Sequence, residues 1–88
     1  MRVISQDGTL DFPYELSTIR VYNEIISMGM CKDDSCRSII ARYSTEAKAI
    51  KAMEMLREAW INEAVEFTHG IYHRNIVFQF PQDDEIEV

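Results

Sequence analysis

One segment of this 88-residue chain reads as a long helix, and that single fact limits the fold more than any other. From about Thr45 to Glu66, apolar residues recur as Ile50, Met53, Leu56, Trp60, Ala64 and Phe67. These steps of three and four residues place a buried stripe along one side of a helix. Ser44 or Thr45 can cap it by accepting a bond from an orphan backbone N–H, and Glu46 suits the positive end of the helix dipole. Ala49, Ala52 and Ala59 flank the stripe and allow close approach to a sheet. At ~1.5 Å per residue the predicted helix is about 33 Å long, enough to lie across a whole small sheet. One helix covers one face of a sheet, so the opposite face must be wet or meet another subunit. Self-association is a ready solution for so short a chain.

The rest of the chain reads as strands. Val3 to Gln6 pairs back on itself through Asp7-Gly8, a hairpin signal for a type I′ turn. That turn sets Gln6 opposite Thr9, Ser5 opposite Leu10 and Val3 opposite Phe12, with Pro13 ending the pairing. Thr18 to Tyr22 alternates, with Ile19 and Val21 on one face, and Glu24 to Met30 continues the sheet after a bend near Asn23. After the polar loop Lys32 to Ser35, Arg37 to Tyr43 is a strand with Ile39, Ala41 and Tyr43 on one face. Asn75 to Phe80 is the last strand, with Ile76, Phe78 and Phe80 sharing a face. The predicted class is α+β: a small, mostly antiparallel sheet of about five strands packed on one long helix in the C-terminal half. Residues 1–82 form one domain, and residues 83–88 an acidic, disordered tail.

Charge separates the function classes. The net charge is −6, and Asp83, Asp84, Glu85 and Glu87 supply most of it. Residues 1–82 hold 11 acidic against 9 basic side chains and no Lys/Arg cluster. Duplex-binding proteins need such a footprint to displace counterions, so direct nucleic-acid binding is not expected. No apolar run reaches the ~20 residues of a membrane span, and the N-terminal residues lack the pattern of a signal peptide. The expected location is therefore the cytoplasm.

Few residues suggest chemistry. Cys31 and Cys36 bracket the polar loop, and His69 and His73 follow, but the gap between the pairs is far from zinc-finger spacing. A disulfide across the loop is geometrically open, yet a reducing cytoplasm favours two ordinary thiols. No metal or cofactor is expected. Glu54 and Glu58 share a helix face, but Lys51 and Arg57 interleave with them as on a solvated surface. Met28, Met30, Met53 and Met55 read as core filling. No P-loop, metalloprotease or serine-triad pattern appears, so the chain reads as a non-enzyme. The one compact polar cluster is Tyr72-His73-Arg74-Asn75. There Arg74 can grip a phosphate and Tyr72 can stack on a base, with His73 between them. Arg20, Arg37 and Arg42, all on predicted strands, can add to such a site, above all between subunits.

Five short stretches carry a resemblance: Ile4-Ser5-Gln6-Asp7-Gly8, Pro13-Tyr14-Glu15, Tyr43-Ser44-Thr45-Glu46, Met53-Glu54-Met55-Leu56-Arg57 and Phe78-Gln79-Phe80-Pro81. Together they resemble a family of small uncharacterised proteins from prophages and mobile elements of Gram-positive bacteria. One departure is Ala47, where the family pattern has a glutamate, so the capping box is incomplete. The resemblance brings no catalytic residues with it. It implies a phage protein that counters host antiviral immunity by binding. One form is a small homo-oligomer that sequesters a nucleotide-type signal. The alternatives are an anti-CRISPR-like inhibitor of a host defence protein, with the acidic tail imitating nucleic acid, or an accessory structural subunit without a ligand.

Overall fold

A computed structural model describes residues 1–30, 36–62, 64–67, 70–73 and 77–88, the segments 64–67 and 70–73 as backbone. In chain order the elements are β1 (Arg2–Ile4), β2 (Asp11–Pro13), a 3-10 turn (Tyr14–Leu16), β3 (Thr18–Tyr22), β4 (Ile25–Gly29) and β5 (Ser38–Arg42). Then follow α1 (Glu46–Asn62), β6 (Ala64–Phe67), β7 (Gly70–His73), β8 (Val77–Gln79) and a second 3-10 turn (Asp83–Glu85). The class is α+β, but the strands form two three-stranded sheets and a hairpin rather than one five-stranded sheet. The sheet orders are β2-β1-β8, β3-β4-β5 and β6-β7.

The first sheet is mixed, because β8 runs parallel to β1 with Val3 opposite Phe78. The β1–β2 register is the expected one, with Val3 opposite Phe12. Its turn is not type I′. Only Gly8 has positive φ (79°), and Gly8 N–H donates to the Ser5 carbonyl at 2.9 Å. Asp7 takes over the polar work of the turn. Its Oδ1 accepts from the Ser5 hydroxyl at 2.6 Å, the Thr9 hydroxyl at 2.7 Å and the Thr9 N–H at 3.0 Å.

In the second sheet, β3 and β4 form a tight hairpin. Asn23 stands at its tip with φ 54°, a left-handed conformation that asparagine tolerates better than most residues. The β4–β5 pairing shifts register between Ile26 and Ser27, so Ile26 faces Ala41 and Ser27 faces Ile39. Ile40 is the extra residue of this bulge. A one-residue shift flips faces, which corrects the expected set: Ala41 and Tyr43 are buried, but Ile39 is turned out and 48% exposed.

Helix α1 stops at Asn62, four residues short of the expected end. Val65 and Phe67 flank Glu66 in an alternation that suits a strand, and they pair in β6–β7 instead. The apolar stripe is therefore shorter than expected. Ala49, Ala52, Met53 and Leu56 are buried, while Ile50 lies outside it, 45% exposed. The two alanines are wholly covered where α1 lies against β3 and β4, so their small size sets the helix close to the sheet. Thr45 is the cap: its hydroxyl accepts from Lys48 N–H at 3.2 Å. Met1, Val3, Ile26, Met28, Ile40, Ala41, Tyr43, Phe80 and Ile86 complete the core.

Residues 83–88 are not a free tail. Ile86 is only 4% exposed within the core, and the Asp83 carboxylate accepts from Ser44 N–H at 2.6 Å and from Lys48 Nζ at 3.2 Å. Of the acids expected in a disordered tail, Asp83 instead meets a backbone donor just ahead of the helix N-terminus.

Candidate functional site

The side of β3-β4-β5 turned away from α1 carries three of the sequence-predicted arginines, Arg20, Arg37 and Arg42. Ile19, Val21, Ile26 and Met28 point to the core, so their strand neighbours point outward. Cross-strand pairing then makes two rows on the outer face. Tyr22, Ile25 and Arg42 form one, and Arg20, Ser27 and Ile39 form the next. With strands ~4.8 Å apart and ~6.8 Å between alternate residues, the Arg20 and Arg42 backbones stand roughly 12 Å apart. Tyr22, 71% exposed, lies between Arg20 and the hairpin tip on β3 and in the same row as Arg42, with Ile25 between them.

Arg37 joins the same face and is fixed there. Its Nε donates to Ser27 Oγ at 3.1 Å and its Nη1 to Thr18 Oγ1 at 2.7 Å. Its Nη2 donates to the Ser27 carbonyl at 2.8 Å and the Thr18 carbonyl at 3.3 Å. The guanidinium thus bridges β3 and β4 through neutral oxygens and keeps its full charge on the surface. Gly29 makes room for it, since a Cβ there would meet Arg37 Cγ at 3.1 Å and Arg37 Cα at 3.2 Å. Arg42 is placed by the bulge. Gln6 N–H donates to the Ile40 carbonyl at 2.8 Å, and Gln6 Oε1 accepts from Arg42 N–H at 3.0 Å. The Arg42 side chain is exposed and makes no hydrogen bond or ion pair with a described residue. At the hairpin end the face meets a hollow of about 310 Å³ lined by Tyr22, Asn23, Glu24, Ile25 and Glu46. Its two glutamates bound the positive ground on that side.

The other predicted site residues are placed differently. Tyr72 and His73 close β7, opposite Val65 and Ala64 of β6. Arg74, Cys31 and His69 lie outside the described residues. Cys36 is disulfide-bonded, which corrects the expectation of an ordinary thiol and removes it as a thiolate ligand. Among the described residues, no three His, Cys, Asp or Glu side chains converge as a metal set. No helix among them is long and apolar enough to cross a membrane.

No family model, curated protein or solved structure matches this chain.

Three ionisable groups are perturbed for structural reasons, and one is Asp83, whose carboxyl the Ser44 N–H holds below the usual carboxylate range. The hydroxyls of Ser5 and then Thr9 hold the Asp7 carboxyl down at about 2. Burial, and then the nearby Asp83 and Glu85 carboxylates, raise the Tyr43 phenol, whose hydroxyl donates to the Pro81 carbonyl at 2.8 Å. None of the three is shifted by an arginine of that face. A second concavity was not visible in the sequence, because its central residue, Trp60, reads as part of the core stripe. It lies on the α1 side of the molecule, between α1 and the Tyr14–Leu16 turn.

Proposed function

We propose that this chain is a non-enzymatic binding protein of phage origin that counters host antiviral defence. In this reading a nucleotide-type signal molecule is held against the β3-β4-β5 outer face, between subunits of a small homo-oligomer. The observation that supports it is the gathering of Arg20, Arg37 and Arg42 with the exposed ring of Tyr22 on one face of an acidic protein. Guanidinium groups pair with phosphate oxygens, and an exposed ring offers a stacking surface for a base. Ile25 and the exposed Ile39 add apolar area that a second subunit would cover. A ligand enclosed between subunits would meet arginines from both, which answers the shallowness of the face in a single chain.

A blocker that imitates nucleic acid through residues 83–88 has less support. Asp83 is engaged by Ser44 and Lys48, and Ile86 is part of the core.

Native mass spectrometry of protein purified from a bacterium with active defence signalling tests the proposal. The expected result is a multimer carrying extra mass on the order of a nucleotide per site, lost on denaturation. Arg42→Ala removes a side chain with no hydrogen-bond or ion-pair partner among the described residues, so it should empty the site without unfolding the domain. A ligand-free wild type, or undiminished retention by Arg42→Ala, overturns the assignment to this face.

A further inference from the structure

A groove of about 490 Å³ opens between α1 and the Tyr14–Leu16 turn, lined by Tyr14, Glu15, Ser17, Ile19, Met53, Leu56, Arg57 and Trp60. Its volume lies within the range of small-molecule sites. We infer that this groove binds a small planar aromatic anion, a ring bearing a carboxylate or phosphate. This is a site separate from the arginine face, because α1 covers the other side of that sheet.

Three observations carry the inference. First, the groove has an aromatic wall on an apolar floor. The Tyr14 and Trp60 rings lie 4.9 Å apart between centroids and are tilted by 38°, over Met53 and Leu56, which are buried. Flat rings gain stacking and thioether contact against such a surface. Second, Arg57 stands one helical turn before Trp60 and forms no hydrogen bond or ion pair with a described residue. Lys48 is paired with Asp83, Lys51 with Glu54 and Arg2 with Asp11, so Arg57 is an unanswered cation at the groove's edge. Its planar fork suits a carboxylate or a phosphate. Third, the groove's carboxylate is already balanced. Glu15 Oε1 accepts from the Met1 ammonium, so Glu15 does not leave the groove seeking a cation. An apolar cation would meet Arg57, and a neutral ring would leave Arg57 unused.

Trp60 is the single tryptophan of the chain, so its indole N–H resonance reports on the groove alone. The test titrates the protein with benzoate and adenosine monophosphate, each against its uncharged counterpart, benzamide and adenosine. A saturable Trp60 shift is expected with at least one anion, with binding about tenfold tighter than that of its neutral counterpart, as charge-assisted bonds provide. Arg57→Gln should erase that preference while leaving the spectrum folded, and Arg42→Ala should leave it intact. Saturation by benzoate alone identifies a carboxylate ligand, and by adenosine monophosphate alone a nucleotide. No saturable shift, or equal affinity for neutral and charged probes, overturns the inference. So does a preference that survives Arg57→Gln. Because Arg42→Ala and Arg57→Gln read different faces, either site can fail without the other.

Discussion

Ile86→Ala should be among the most damaging single changes near the chain's C-terminal end, although Ile86 stands in its most acidic stretch. The side chain is 4% exposed within the core, and truncating a buried isoleucine costs about 2–5 kcal/mol. The lower half of that range fits, because the flanking 3-10 turn can settle into part of the space. A domain of 88 residues has a total stability of roughly 4–13 kcal/mol, so about 2 kcal/mol is a substantial share. In urea, with a slope near 1 kcal/mol per molar for a chain this small, the midpoint should fall by about 2 M. In a thermal scan the same loss lowers Tm by roughly 8–16 °C. Val88→Ala is the control, since Val88 is 74% exposed, and it should move neither reading. Deleting residues 83–88 should exceed Ile86→Ala, because it also removes the Asp83 bonds to Ser44 and Lys48. An Ile86→Ala stability within about 0.5 kcal/mol of wild type, the range of ordinary surface changes, would refute the docked segment.

Two other changes probe how the arginine face and the first hairpin are held. Gly29→Ala places a Cβ 3.2 Å from both the Arg37 Cα and the Cys36 carbonyl, backbone atoms that cannot swing away. A loss of about 1–3 kcal/mol is expected in urea titration, and wild-type stability would show that Arg37 does not lie across Gly29. Asp7→Asn should destabilise at neutral pH. Its carboxyl is held at about 2, below its ordinary 3.8, so its stabilisation is complete above pH 3.8 and fades as pH falls toward about 2. Thermal melts of the two proteins should therefore converge in that acid window, and a constant gap would count against the Ser5–Asp7–Thr9 bonds as its origin.

What the sequence showed of the fold was mostly local. Val3 opposite Phe12 follows from the length of the Asp7-Gly8 connection, although the turn type does not. Ala49 and Ala52 mark where the helix comes close to the sheet, because nothing larger fits there. The helix end was misread for a specific reason. Ala64 and Phe67 continue a helical spacing, yet Val65 and Phe67 equally satisfy a period of two, and periodicity alone does not choose between them. The bulge at Ile40 has no signature in the residues themselves, since Ile39 and Ile40 are chemically identical. It depends on Gln6, distant in the chain, supplying a donor and an acceptor to β5. The docking of Asp83 was hidden similarly, because a run of acids shows its charge but not the Ser44 N–H that donates to one of them. On the site, Arg20, Arg37 and Arg42 were expected only as additions to the Tyr72–Asn75 cluster; the sheet sets these three on one face, while Arg74, the centre of the expected site, lies outside the described residues. The Tyr14–Trp60 groove was missed because Trp60 at helical spacing looks like any core aromatic.

The parallel pairing of β1 with β8 has a consequence for the order of events during synthesis. The β1–β2 hairpin and the β3-β4-β5 meander each close over short stretches and can form as the chain emerges. Val3, however, waits for Phe78. Until residue 79 has left the ribosome, one edge of β1 is an open row of N–H and C=O groups, the kind of template on which another nascent chain can pair. Closing so long a loop is slow as well as late. The interval between the two events is the period in which this small protein is most exposed to pairing with the wrong partner.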